Sequence, residues 1–241
     1  MSLRTELSAL RTAFSFFTRV PVKAPDFRPA EAVTYLPLVG VFLGGINLLL
    51  WRFLSPRFGP DITAFLILLT QYFLANYFHF DGMLDTLDAL FAGGPREKRL
   101  RILKTPEIGA LGLLFGVLFL LGEWLALKEA LAASLSVVVL VKPLFGRLGL
   151  LAGMVLGTPA KKEGLGVLFF STGAKRRALP VFLLLFFLLF WFFPGESLGV
   201  LVFLWALCLY FRRIFGGLTG DLLGALNEMA EFLFLWAVIL Y

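Results

Sequence analysis

From Leu179 to Phe193 the chain runs through fifteen residues without a charge, and blocks of similar character recur along its length. Blocks of roughly 15–25 apolar residues match the length a helix needs to cross a bilayer core of ~30 Å. Composition agrees: 59% of the 241 residues are hydrophobic and 16% charged, where an ordinary soluble domain has about 45–50% and about 25%. The runs are continuously apolar rather than alternating, which argues against a transmembrane β-barrel. The expected fold class is all-α, a polytopic integral membrane helical bundle forming a single domain over residues 1–241.

Seven spans can be drawn: Tyr35–Leu54, Ile62–Phe80, Ile108–Leu127, Ala130–Leu156, Leu179–Phe193, Leu198–Phe211 and Leu222–Tyr241. The fifth and sixth are short. Residues 1–30 space Arg4, Arg11 and Arg19 among apolar positions with no compact apolar core, so they read as an amphipathic cytoplasmic segment on the membrane surface rather than a signal peptide. Seventeen Lys and Arg residues fall in the N-terminal segment and the loops after spans 2, 4 and 6, and only Arg52, Arg57 and Lys128 fall in the opposite loops. The positive-inside rule then places the N-terminus in the cytoplasm. The net charge of +6 thus reflects topology, and no nucleic-acid partner is expected. The single cysteine, Cys208, excludes an intrachain disulfide and lies in an apolar run, where it packs as a small hydrophobe.

At the cytoplasmic end of the second span the chain reads Phe80-Asp-Gly-Met-Leu-Asp-Thr-Leu-Asp88. Helical positions i, i+4 and i+7 fall within an arc of about 60°, so Asp81, Asp85 and Asp88 share a face with no adjacent base to neutralise them. Further acids lie in the last span, where Gly216, Gly217, Gly220 and Gly224 surround Asp221, and Glu228 and Glu231 follow. Acids within a span face a cavity, a cation or a partner. A structural reading pairs Glu228 and Glu231 with Lys142 and Arg147. Hard oxygen ligands without a cysteine or histidine cluster favour Mg²⁺ or Mn²⁺ over zinc. The three aligned acids suggest a metal-loaded site. Asp81 and Asp85 could flank a metal pair, being about 6 Å apart along the helix, and His79, the only histidine, borders them.

Several motifs in order resemble the cobalamin synthase family, the adenosylcobinamide-GDP ribazoletransferases. His79 followed by Asp81-Gly-x-x-Asp85-Thr-x-Asp88 resembles its signature. Thr18-Arg19-Val20-Pro21-Val22 resembles its opening, and Tyr35-Leu36-Pro37-Leu38-Val39-Gly40 its first-span motif. Lys161 through Gly166 is similar to Ala-Arg-x-Glu-Gly-Leu-Gly, and Gly217-Leu218-Thr219-Gly220-Asp221 through Glu228 to the last motif. The chain departs from the pattern at Thr105, where the family has an acid, at Glu107, where it has an arginine, and at Lys161, where lysine keeps the charge but lacks the bidentate fork.

The resemblance implies a Mg²⁺-dependent transferase in the cell membrane, multi-pass, with its site on the cytoplasmic side. Its substrates would be adenosylcobinamide-GDP and α-ribazole or α-ribazole 5′-phosphate, and its products adenosylcobalamin or its 5′-phosphate, and GMP. The resemblance also implies Asp81, Asp85, Asp88 and Asp221 as metal ligands, Asp85 and His79 as further catalytic candidates, Asp88 as the expected base, and Lys104, Lys161, Thr219 and Gly220 as the expected substrate-binding residues. The oligomeric state is left open. Two rivals are a CDP-alcohol phosphotransferase, whose motif carries Asp-Gly-x-x-Ala-Arg, and a cation-coupled transporter, which would place its acids nearer the bilayer midplane.

Overall fold

A computed structural model describes residues 2–75 and 77–240. Met1, Asn76 and Tyr241, the last of which closes the seventh expected span, lie outside the described residues. The elements are α-helices joined by short loops, with one isolated parallel bridge between Pro159 and Leu218. In order they are α1 (Leu3–Phe17), α2 (Pro29–Ala32), α3 (Leu36–Leu54), α4 (Pro60–Leu74), α5 (Phe78–Phe91), α6 (Arg96–Ile102), α7 (Ala110–Ala132), α8 (Val137–Leu156), α9 (Thr172–Phe192), α10 (Pro194–Phe215) and α11 (Gly220–Leu240).

Among the described residues, five helical segments are long and apolar enough to cross a membrane: Pro29–Leu54, Ala110–Ala132, Val137–Leu156, Pro194–Phe215 and Gly220–Leu240. A sixth arises if α4 and α5 count as one broken span. That pair bends by 93°, so the expected Ile62–Phe80 span stops at Leu74 and the helix bearing the acids turns away. The expected fifth span corresponds to α9, 21 residues long, whose opening carries Lys175, Arg176 and Arg177. The expected Ala130–Leu156 span is also interrupted. Helix α7 runs on to Ala132, Ser134 adopts a left-handed φ of 63°, and α8 starts at Val137.

Helix α8 is the axis of the bundle, buried on almost every side by α3, α9 and α11. Its close approach to α11 requires glycine. A Cβ on Gly149 would come within 3.0 Å of the Ala230 Cβ and collide with the Leu226 carbonyl, the small-residue contact by which membrane helices pack. Helix α1 is amphipathic, as expected, but is more than a surface segment. Its Ala9, Ala13 and Phe17 are buried, and the Tyr35 hydroxyl donates to Glu6 at 2.8 Å.

The apolar interior encloses a polar network that ties α4, α7, α8 and α11 together. Lys142 Nζ lies 2.8 Å from Glu123 Oε1 and 2.7 Å from Glu231 Oε2. Gln71 donates to Glu231 at 2.6 Å and accepts from Asn47 at 2.7 Å. Glu231 therefore pairs with Lys142, as the structural reading has it. Glu228 does not pair with Arg147; Asn227 stands between them, accepting from Arg147 at 2.9 Å and donating to Glu228 at 3.1 Å. The Tyr72 hydroxyl meets Glu123 at 2.7 Å and Glu228 at 2.8 Å. A phenol has one hydrogen to donate, so the Tyr72 hydroxyl is shared between the two carboxyls.

Candidate functional site

Helix α5 is continuous through its acids, so Asp81, Asp85 and Asp88 do share one face. Their surroundings differ. Asp81 is exposed, and its carboxylate makes no hydrogen bond or ion pair with any described residue. Asp85, one turn on, is half-buried and has Asp81, Asp221 and Asp88 as charged neighbours. Asp88 is fully engaged. Its Oδ2 accepts from the Gly109 N–H and its Oδ1 from the Gly112 N–H, each at 2.7 Å. These are orphan donors at the start of α7, and the two glycines leave room for the carboxylate, since a Cβ at either would overlap it.

Asp88 thus ties the acid helix to α7, a placement unlike that of the expected base. Asp88→Ala should cost about 1–2 kcal/mol of stability, the usual value of a lost helix cap, read as a lower unfolding temperature in detergent. The folded fraction should keep turnover within about tenfold of the wild type. A loss of about a thousandfold at unchanged stability would return the base role to Asp88.

Helix α11 meets α5 where Gly82 faces the Asp221 backbone. A Cβ on Gly82 would lie 2.7 Å from the Asp221 Cα and 2.9 Å from its carbonyl oxygen, so only glycine lets the two acid-bearing helices touch here. Asp221 occupies the first turn of α11, where Thr219 donates to its Oδ2 at 3.1 Å. The loop after α8 then closes over this seam. Ala160 N–H donates to the Leu218 carbonyl at 2.8 Å and Leu218 N–H to the Thr158 carbonyl at 2.7 Å. Gly166 packs so tightly on Gly220 that a Cβ there would come within 2.8 Å of the Gly220 Cα. The Arg96 side chain of α6 clamps the same loop, donating to the Ala160 carbonyl at 2.8 Å.

These elements surround a cavity of about 680 Å³. Its polar lining includes Asp81, Asp221, Thr219, Lys104 and Lys161, so residues of four separated motifs meet in one space. Gly220 and His79 line it as well, whereas Asp85 and Asp88 do not. Partial burial lowers the Lys161 ammonium from its ordinary pKa; Asp221 opposes that shift and Lys104 adds to it, which marks the three as electrostatic neighbours. Thr105 and Glu107, the two departures, are exposed, and Thr105 donates to the Ile102 carbonyl at 2.8 Å. His79 is buried beneath the cavity, 3.5 Å from an Arg147 nitrogen and stacked edge-on to Phe78 at 4.4 Å. Arginine can only donate, so a hydrogen bond there makes Nδ1 the acceptor and leaves the proton of the neutral ring on Nε2.

The donors suit a hard divalent cation in kind: carboxylate and hydroxyl oxygens, and no thiolate. No three of the described His, Cys, Asp or Glu side chains are gathered tightly enough to hold a metal ion by themselves. Mg²⁺ does not require that, because it is usually held by one or two carboxylates, substrate phosphates and water. Asp81 and Asp221, on either side of the Gly82 contact, meet this lower demand.

Sequence reading did not anticipate Glu123, Tyr72, Gln71 or the aromatic residues at the cavity. An acid inside the third expected span was a sufficient signal for Glu123. Phe16 and Phe17 stand directly before the Thr18-Arg19-Val20-Pro21 motif, but nothing in their pattern separates cavity wall from core.

A family model described as cobalamin-5-phosphate synthase matches residues 9–239. Three similar proteins are each named adenosylcobinamide-GDP ribazoletransferase. That of Desulfitobacterium hafniense is 37% identical over 237 residues, covering 92% of this chain and 93% of the relative. That of Thermosipho melanesiensis is 32% identical over 229 residues, covering 92% and 94%. That of Thermodesulfovibrio yellowstonii is 31% identical over 245 residues, covering 95% and 94%. No solved structure matches the chain.

Proposed function

The chain belongs to the cobalamin-5-phosphate synthase family, and from that premise we propose that it is a membrane transferase joining adenosylcobinamide-GDP to α-ribazole, or to α-ribazole 5′-phosphate. The observation that carries the reading is the single cavity in which Asp81, Asp221, Lys104 and Lys161 converge from distant parts of the sequence. Phosphoryl transfer needs chiefly positioning and charge neutralisation, and that lining supplies both.

In the reaction a ring hydroxyl of the ribazole ribose loses its proton, and its oxygen forms a bond to the phosphorus next to cobinamide. The 5′ oxygen is not the nucleophile, because α-ribazole 5′-phosphate already has it esterified. The bond from that phosphorus to the bridging oxygen of the GDP unit breaks, and GMP leaves with that oxygen. Lys104 and Lys161 hold the diphosphate, and Thr219 fixes the orientation of Asp221 by its hydrogen bond. Asp81 and Asp221 would hold a Mg²⁺ or Mn²⁺ ion, which when bound neutralises charge on the phosphates.

We read α3, α4, α7, α8, α9, α10 and α11 as seven crossings, with α5 and α6 outside the bilayer. The loops that build the cavity then all emerge on the Lys/Arg-rich side, which the positive-inside rule assigns to the cytoplasm together with the N-terminus. Burial, reinforced by the charges of Asp81, Asp221 and Asp88, pushes the Asp85 carboxyl up to about 7, but Asp85 stands outside the cavity lining.

The test is GMP release by the detergent-solubilised full chain. Release is expected only with adenosylcobinamide-GDP, α-ribazole and Mg²⁺ all present, and EDTA should abolish it until the metal is restored. GMP release without α-ribazole, or joining that EDTA leaves unchanged, would overturn respectively the assigned reaction and the metal requirement.

A further inference from the structure

The wall of the cavity that bears Phe16, Phe17, Phe78 and Phe169 is unlike its charged rim. Phe16 lies 4.9 Å from Phe17, 5.2 Å from Phe78 and 5.4 Å from Phe169 by ring centroids. Phe17 lies 5.7 Å from Phe169. All four line the cavity, and they come from three separate parts of the chain: the end of α1, the start of α5 and the 3₁₀ turn at residues 165–170. Leu150, Met154 and Leu223 continue the same surface. His79, packed on Phe78 at 4.4 Å and 5.8 Å from Phe17, offers a hydrogen bond beside these rings.

An aromatic surface of this kind is a stacking platform for a planar ring, since every heteroaromatic base presents a π-face. Three planar bases enter the proposed reaction, guanine and the adenosyl group's adenine on the donor and benzimidazole on the acceptor, and the purine edges differ from that of benzimidazole. Guanine carries N–H donors and carbonyl and ring-nitrogen acceptors around its rim, and burying them against phenylalanine without partners is costly. The dimethylbenzimidazole of α-ribazole presents C–H and methyl edges with one ring-nitrogen acceptor, which a single donor such as His79 Nε2–H can satisfy. The charged rim, by contrast, suits phosphate and ribose.

We infer that the Phe16–Phe17–Phe78–Phe169 wall is the seat of the acceptor's apolar benzimidazole base, and that it selects such bases over purines. This rests on the proposed transferase reading. With the base on that wall, its ribose extends toward Asp81 and Asp221, where the hydroxyl must arrive. The guanine of the donor lies elsewhere, outside the apolar end of the cavity.

The experiment combines binding and kinetics on the full chain in detergent. Equilibrium dialysis measures α-ribazole and GMP binding, and steady-state assays give KM for each substrate. Phe169→Leu, which keeps an apolar side chain but removes the π-face, should weaken α-ribazole binding and raise its KM by about tenfold. GMP binding and KM for adenosylcobinamide-GDP should stay within about twofold, a split that general misfolding would not produce. Phe169→Trp should restore α-ribazole binding. If Phe169→Leu instead weakens GMP binding, or both ligands bind the variant as they bind the wild type, the assignment of the wall is overturned. If the wild type neither binds nor consumes α-ribazole, the transferase reading itself falls, and this inference with it.

Discussion

Asp81→Asn and Asp221→Asn should each lower ribazole transfer by about three orders of magnitude without lowering the unfolding temperature. Both halves of that expectation come from the geometry. Asp81 is exposed and its carboxylate has no hydrogen-bond or ion-pair partner among the described residues, so neutralising it breaks no such contact. It also faces like charges on Asp85 and Asp221, so neutralising it relieves repulsion and should leave the fold equally or slightly more stable. A carboxylate that adds little to the fold and stands near other carboxylates is a place where a bound cation relieves repulsion. The wild type should therefore gain stability on adding Mg²⁺, by linkage, and Asp81→Asn should lose most of that gain. Gly82→Ala provides a structural counterpart, because its Cβ would force the Asp221 backbone away from α5. Near-normal turnover in Asp81→Asn, or an undiminished Mg²⁺ effect on unfolding, would remove Asp81 from the site.

The acid face of α5 was legible because helical spacing alone aligns residues four and seven apart. What distinguishes the three acids was not legible. Asp88 caps α7 only because the loop after α6 returns Gly109 and Gly112 to it, and a contact across 21 and 24 residues leaves no periodic trace. The bend after Leu74 was hidden for a similar reason: the apolar run continues to Phe80, and hydropathy records composition, not direction. Lys104, Lys161, Thr219 and Gly220 were named from motif resemblance, and their convergence on one cavity is a property of loop packing. The aromatic wall was invisible among 28 phenylalanines. In a chain this apolar, a phenylalanine facing lipid, core or ligand looks the same in sequence.

The buried network provides the second large effect. Lys142→Met should destabilise the folded chain by about 3–5 kcal/mol, the usual cost of stranding buried charges by removing one partner. Lys142 is 1% exposed and sits between Glu123 at 2.8 Å and Glu231 at 2.7 Å, so its loss leaves two acids facing each other in the protein interior without the cation that contacts both. Gln71 and Tyr72 still donate to them, but neutral donors cannot replace a positive charge at low dielectric. A fall of roughly 10 °C in unfolding temperature is expected, followed by tryptophan fluorescence in detergent. The triple variant Glu123→Gln, Lys142→Met, Glu231→Gln separates charge from shape. It removes the ionic cluster as a unit and should recover most of the loss, because neutral hydrogen-bonded groups of similar volume carry no comparable desolvation penalty. If Lys142→Met melts like the wild type, the two glutamates are not held by Lys142 as charges. If the triple variant is as unstable as the single one, packing rather than electrostatics holds α7, α8 and α11 together at this level.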